Sequence, residues 1–502
     1  MNQRKTVLLD LLLLSTTLAF FLWLALNRFI APDEGFYLLA SSLVMQGQLI
    51  YDDFFYPQMP LFPYLYGLWL AVFDFTWQQA RIFAALLTVG VAFLLYLPLK
   101  KSTTPLLAAS ALILFASSGL VIGWFPTAKT YNASTLFCLL SYLLISKSFV
   151  KQTPALIFCS GLLLGLTVNV RLFYAILVPL FILWIFIQEK DHRIKHTLYF
   201  LLGGLLTVIP HLYLIFTDWS SYWFNNLGYH GIRSEMSPEQ IAEHRKFIVE
   251  VAFGFRQEAR SDGYQLPILF FGAVAHALYR LKNKSLPDMA FWIGMILFVV
   301  SFTPVPIHLQ YFCASVPFFI ICTILFLAEF SAARARVTLW LTRVVAIVVL
   351  CIYLISTPQA IERHLISGYG VHGVEDGLEE TSRISTAREV AHEINALTEP
   401  GEVVLSQWPG FLVESHALPY PGTENQFWVR VGHRLDAEER RNFKIVNRAE
   451  FKEIVSNPDL KTVIIEKHKE RRYFRGKVLE QNMFERAKEI NGVYIYKRLK
   501  DK

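Results

Sequence analysis

The sequence predicts a mainly α-helical, polytopic membrane protein carrying a small α/β domain at its C-terminal end. Three observations lead there. Of the 502 residues, 54% are apolar and only 17% charged, too apolar a balance for an ordinary water-soluble domain. Apolar runs approaching the ~20 residues needed to cross a bilayer recur as far as residue 358. Beyond that point the composition becomes polar, and helix and strand patterns alternate.

The first apolar run, 6–27, follows Arg4 and Lys5. It is longer than a signal-peptide core and lacks an A-x-A-like cleavage site, so it reads as a retained anchor. Ten further spans are expected at 82–99, 105–122, 132–147, 154–168, 172–188, 197–217, 264–281, 288–302, 311–329 and 341–357, making eleven in all. Basic residues test this order, because cytoplasmic loops carry an excess of Lys and Arg. Alternate ends hold Arg4/Lys5, Lys100/Lys101, Lys147/Lys151, Lys190/Arg193/Lys195, Arg280/Lys282/Lys284 and Arg334/Arg336/Arg343. The short opposite loops hold only Lys129 and Arg171. The N-terminus is therefore expected in the cytoplasm and everything after residue 358 outside it. The net charge of +7 belongs to these flanks, since residues 359–502 carry 23 basic and 23 acidic side chains. Nucleic-acid binding finds no support in such a distribution. The five cysteines all lie in apolar runs and form neither a disulfide framework nor a metal-ligand spacing.

Two outer loops, 28–81 and 218–263, are long. Phe36, Leu39, Ala40, Leu43 and Val44 in the first have helical spacing. The aromatic and proline-rich stretch "YDDFFYPQMPLFPYLYGLWLAVF" then suggests interfacial helices. The second loop mixes aromatic, basic and helix-starting residues. In the tail a polar helix at 384–397 leads into the strand of "EPGEVVLS". "RAEFKEIVSNPDLKTVIIE" repeats that order, and "NGVYIYKR" adds a period-2 strand. The two domains are thus expected at 1–358 and 359–502. No internal repeat of the kind common in transporters is visible.

The chemistry-bearing candidates lie at the outer ends of the spans. Asp33 and Glu34, after Pro32, make a favourable helix N-terminus, because carboxylates suit the positive end of the helix dipole. Their place just beyond a membrane span also makes them candidates for chemistry, since carboxylates near lipid usually face a polar cavity. Asp52 and Asp53 fit a solvated turn, with acceptor or divalent-ion binding as the alternative; two adjacent carboxylates do not define a metal site. Arg171 interrupts an apolar stretch at a cost that a function would offset. Lys129 fits snorkelling to the interface as well as a phosphate contact. His308 and Tyr311 fit interfacial anchors as well as ligand contacts, and Arg81 could neutralise Asp74. Tyr56, His230 and Arg233 offer polar groups for a sugar or phosphate, and Trp408 could stack on a sugar or pack against its own protein. Asp10, inside the first span, reads as a bundle-facing or snorkelling carboxylate.

The string "PDEGFYLLASSLVMQGQLIYDDFFYPQMPLFPYLYGLWLAVFDFTWQQARIFAALL" resembles the first outer loop of GT-C membrane glycosyltransferases. The subgroup it is most similar to is the branch of protein O-mannosyltransferases, lipid A aminoarabinose transferases and Rgt-like enzymes. The matched elements are the acidic pair, Tyr37, Gly47, Tyr51-Asp52-Asp53-Phe54, Pro57, Pro60, Pro63, Trp69, Phe73 and Arg81. The resemblance covers the first ~80 residues by motif, and the remainder by architecture alone. It implies transfer of a sugar from a polyprenyl-phosphate carrier to a hydroxyl acceptor (envelope glycan, lipid or protein) outside a bacterial cytoplasmic membrane. Asp33 is implied as the catalytic carboxylate, with Glu34 assisting it. Some relatives carry a Lys before the paired prolines; here Gln58 and Met59 stand there. The donor phosphate would then rest on Arg171, Lys129, His308, Tyr311 or Arg81. The acceptor or sugar would meet Asp52, Asp53, Tyr56, His230 or Arg233. No cofactor beyond the lipid-linked donor is called for, and a divalent metal has no dedicated ligands. A transporter or flippase of lipid-linked sugars is the rival class, and would place ionisable groups near mid-membrane.

Overall fold

The computed structural model of the chain describes residues 3–151, 153–256, 262–332, 336–474 and 478–499. Arg334 and the side chains of Arg4, Lys5, Arg336 and Arg343 lie outside the described residues, so that part of the charge pattern has no structural counterpart. Long helices dominate, and a five-stranded sheet lies near the C-terminal end.

Internal contacts divide the chain into two units whose boundaries differ from the expected break near 358. One comprises residues 1–27, 84–209 and 236–370; the other comprises 28–83, 210–235 and 371–502. The first outer loop and part of the second therefore fold with the tail. The segment 236–263, expected as outer loop, is grouped with the helical unit.

In the helical unit, helix α1 (Gln3–Asn27) exposes Leu8, Leu11 and Leu12, as a lipid-facing surface would, while Phe21 and Leu24 are buried. Helices occur at each expected span. Among the described residues, four are long and apolar enough to cross a membrane: Val7–Asn27, Trp77–Ser102, Thr130–Lys151 and Ala346–Ser367. Arg193–Leu206 and Ile209–Thr217 make a fifth when taken as one span bent by 49°. Several others are shorter apolar helices, such as Pro105–Ser117 and Met289–Val300, so the count of eleven full spans is not reached. Their shortness has local causes. The 105–122 stretch breaks at Ser118 in extended conformation, and the helix Pro154–Val170 ends at extended Arg171. Glycines let helices meet closely: a Cβ at Gly161 would collide with the Phe200 carbonyl, and one at Gly203 with that of Phe158. Such small-residue contacts are the usual way for membrane helices to pack. Asp10 binds Lys100 and accepts the Tyr96 hydroxyl at 2.6 Å, so the bundle-facing reading of that carboxylate holds.

In the other unit, helix α2 (Asp33–Met45) follows directly on the loop from α1. It buries residues on every face, Phe36, Tyr37, Leu38 and Leu39 included, and so is a core helix where an amphipathic one was expected. Helix α3 (Leu61–Phe73) exposes Leu68, Val72 and Phe73, which does fit an interfacial surface. Helix α4 (Trp77–Ser102) starts in this unit and carries the second long span.

The tail forms β1 (Val403–Ser406), β2 (Leu418–Pro419), β3 (Thr462–Glu466), β4 (Phe484–Ile490) and β5 (Val493–Arg498), in the order β2-β1-β3-β5-β4. β1 runs parallel to β2 and β3, whereas β5 is antiparallel to β3 and β4. The β4–β5 hairpin turns at Asn491-Gly492, whose φ angles of 45° and 83° suit that dipeptide. The helix Ile384–Leu397 precedes β1, as its pattern predicts. Leu405, Val463 and Ile465 from the sheet share a core with Trp428 and Phe451 of the tail and with Phe55, Phe224 and Tyr229 of the outer loops.

Candidate functional site

The acidic centre is built at the start of α2. Pro32 precedes the first turn, and Glu34 Oε1 reaches back to accept the Ala31 N–H at 2.7 Å. Both Glu34 oxygens also meet Arg81 of α4, Oε2 to Nε at 2.6 Å and Oε1 to Nη2 at 2.8 Å. The side chains are 0% exposed, and Arg81 Nη2 additionally donates to the Phe29 carbonyl at 3.3 Å. Arg28 is buried beside them. Burial and the neighbouring Arg81 pull its guanidinium down to about 9, with Glu34 working in the opposite direction. Glu34 thus serves a buried two-arginine group, and Arg81, expected on a phosphate or on Asp74, is bound to Glu34 instead. Such a buried pair needs complete hydrogen bonding to offset its desolvation, which the Ala31 and Phe29 backbone groups help to provide. Asp33, at the first position of α2, is only half-buried. The adjacent carboxylates therefore have different environments: one is locked in the interior and one partly open.

The tail closes around this helix start. The Trp408 Nε1–H donates to the Pro32 carbonyl at 2.9 Å, and the Gln426 amide donates to the same oxygen at 3.3 Å. Trp408 stacks on Trp77, the first residue of α4, at 5.9 Å. Packing onto its own protein is thus what Trp408 does.

Asp53 is a turn residue, its Oδ2 accepting the Leu49 N–H at 2.6 Å, and Asp52 lies half-buried beside it. The left-handed φ of Tyr51, 76°, and of Gly47, 91°, shape the same loop. Tyr56 is fully buried, with its ring 5.9 Å from Phe36, and burial pushes its hydroxyl well above the usual tyrosine range. Its backbone N–H donates to Asn225 Oδ1 at 2.8 Å, which ties the first outer loop to the second. His230 and Arg233 belong to that second segment and are half-buried; Tyr229 beside them stacks on Phe427 of the tail at 6.1 Å. All of these candidates share one unit with Asp33.

The remaining four candidates come together in the helical unit. Arg171 lies over the Tyr131 ring at 4.4 Å and donates to Thr130 Oγ1 at 2.8 Å. Lys129 lies 5.8 Å from the same ring and 4.9 Å from that of Trp124, and donates to Gln310 Oε1 at 3.1 Å. Tyr311 is 5.6 Å from the Arg171 guanidinium, and His308 is 5.6 Å from Tyr311. Two cations around one aromatic face repel each other in a low-dielectric setting, so the group is suited to receiving an anion.

Each member sits where a helix is interrupted. Lys129 ends an irregular stretch before the helix Thr130–Lys151, Arg171 is extended after Val170, and His308 is extended ahead of a short helical turn. Non-helical backbone at membrane depth is tolerated only where protein or a cavity surrounds it. The buried Asn132 amide supports the Lys129 stretch by donating to the carbonyls of Phe125 at 2.8 Å and Thr127 at 3.0 Å. Sequence reasoning missed Tyr131, Gln310 and Asn132. The string "PTAKTYN" does contain an aromatic two residues after Lys129 and an amide three after it, but only the fold brings Arg171 onto that aromatic. Among the described residues, no group of three or more His, Cys, Asp or Glu could hold a metal ion.

Residues 57–214 match the family model of dolichyl-phosphate-mannose-protein mannosyltransferases. No curated protein sequence matches the chain. ArnT from Cupriavidus metallidurans in the apo state is similar in structure, with a TM-score of 0.66 at 12% identity, over 98% of each chain. The same protein bound to undecaprenyl phosphate aligns with a TM-score of 0.66 at 11% identity, over 97% of each chain. The apo oligosaccharyltransferase of Archaeoglobus fulgidus aligns with a TM-score of 0.51 at 15% identity, over 92% of this chain and 70% of that one. The chain thus shares its fold with ArnT over nearly its full length, and residues 57–214 match the mannosyltransferase model.

Proposed function

We propose that the protein is an inverting glycosyltransferase that moves a sugar from a polyprenyl-phosphate carrier to a hydroxyl acceptor at the extracytoplasmic face of a bacterial inner membrane. The observation that carries this reading is the convergence of Lys129 and Arg171 on Tyr131, with Gln310, Tyr311 and His308 around them. A structurally similar protein was crystallised with undecaprenyl phosphate, which supports a lipid-linked donor.

The chemistry follows from the groups at hand. An acceptor hydroxyl oxygen attacks the anomeric carbon, the bond from that carbon to the phosphate oxygen breaks, and polyprenyl phosphate departs with the electron pair. One displacement inverts the anomeric configuration. Asp33, the partly open carboxylate, takes the hydroxyl proton. The leaving group is already an anion and needs cations and hydrogen-bond donors, which Lys129 and Arg171 supply. Glu34 and Arg81 hold the start of α2 and take no part in the proton transfer. The acceptor is an envelope glycan, lipid or protein.

The test uses purified protein and a panel of labelled polyprenyl-phosphate sugars. Arg171→Gln should lower kcat/KM for the donor about 100-fold, the usual scale for one lost donor to a developing anion. Undiminished kcat/KM in the Lys129→Gln/Arg171→Gln double variant would remove the phosphate assignment.

A further inference from the structure

We infer that Trp408 and Gln426 of the C-terminal domain are positioning residues for the base, acting on Asp33 through the Pro32 carbonyl; this rests on the transferase reading above. Three independent contacts bring the tail to this point. Two side-chain N–H groups from separate tail loops converge on one backbone oxygen, Trp408 at 2.9 Å and Gln426 at 3.3 Å. That oxygen belongs to the residue immediately before Asp33, so fixing it fixes the peptide plane from which the Asp33 backbone starts.

The second contact is backbone against backbone. A Cβ at Gly35 would stand 2.7 Å from the Gly410 nitrogen and 2.9 Å from the Trp408 ring. Only glycine lets α2 and the loop carrying Trp408 come so close, and neither backbone can yield as a flexible side chain would. The third contact is on the far side of Trp408, where its ring stacks on Trp77 at 5.9 Å. The Trp77 N–H donates to Glu414 Oε1 at 2.8 Å, which binds the same tail loop to the start of α4. Trp408 is thereby held on both sides, with its N–H aimed at Pro32. The residue after Gln426, Phe427, packs its ring 5.3 Å from that of Phe36 in α2.

Asp33 is half-buried at the first turn of α2, so the peptide plane that precedes it helps to set where its carboxylate stands. Small errors matter here, because a shift of about 1 Å in a reacting group can cost on the order of 100-fold in rate. The tail supplies the rigidity.

Trp408→Phe keeps an aromatic ring beside Trp77 while removing the N–H together with part of the indole; Gln426→Leu removes the second donor, conserves bulk and leaves the indole in place. Each should lower kcat about 10-fold with donor KM unchanged, and Gln426→Leu should retain the wild-type melting temperature. The distinguishing measurement is a double-mutant cycle, in which residual transfer by Asp33→Asn should fall no further when Trp408→Phe is added. Additive losses would overturn the inference, because a residue acting through Asp33 has nothing left to position. Wild-type kcat in both tail variants would overturn it while leaving the transferase reading intact. Wild-type protein that releases no polyprenyl phosphate from any donor would overturn both.

Discussion

Asp33 and Glu34 differ by one position and by almost everything else that governs a carboxylate. Glu34 is sealed in the interior with both oxygens on Arg81, while Asp33 is half-buried. Glu34→Gln would remove the buried carboxylate that Arg81 binds through both of its oxygens. Removing one partner of a buried pair typically costs about 3–5 kcal/mol. The expected result is a marked fall in melting temperature in detergent, with poor recovery of folded protein. Asp33→Asn should instead leave the melting temperature near wild type and lower transfer roughly 100- to 10,000-fold, the scale of a lost general base. A thermal unfolding series on the two variants separates the roles; equal destabilisation would deny the division. The sequence suggested that Asp33 was the more chemical of the two. It could not reveal the Glu34–Arg81 pair, because 47 residues separate the partners and nothing local couples them.

At the level of elements, periodicity and turn chemistry were legible and depth was not. The helix Ile384–Leu397 and the Asn491-Gly492 hairpin follow from the pattern of the residues that form them. α2 was expected as an amphipathic helix because Phe36, Leu39 and Leu43 share a face; the structure buries its other faces as well. The Gly161 and Gly203 contact was likewise invisible until two helices were paired. Gly203→Val should force those helices apart and lower the melting temperature, which differential scanning fluorimetry would detect; an unchanged value would mean the helices yield without cost. Within the tail, Glu424 is buried, and that burial raises its carboxyl to about 8 despite the backbone N–H groups of Glu424 and Gly422 and the charge of Lys444 acting against it. A carboxyl raised on folding stabilises the folded state while it stays protonated. That contribution is complete below the ordinary glutamate value of 4.5 and is lost as pH rises towards about 8. Glu424→Gln should therefore flatten the dependence of melting temperature on pH between these limits. An equally steep wild-type and variant profile would exclude Glu424 as its source.

At the scale of the molecule, the first outer loop, part of the second and the tail form one folding unit, although almost 290 residues separate Phe83 from Val371. Composition marked the tail as a separate domain because its polarity changes near 358; composition carries no record of Phe55, Phe224 and Tyr229 sharing its core. Removing residues 371–502 should expose those aromatics and make the segment 28–83 sensitive to limited proteolysis, and a protected 28–83 segment in the truncated protein would contradict that dependence. The central claim concerns what this assembly does. It is tested most directly by incubating the purified protein with a labelled polyprenyl-phosphate sugar and envelope acceptors, then following both products. The account predicts that polyprenyl phosphate is released, that the transferred sugar has inverted anomeric configuration, and that Asp33→Asn slows transfer at least about 100-fold. Transfer with retained configuration, or an Asp33→Asn variant that turns over at the wild-type rate, would contradict it.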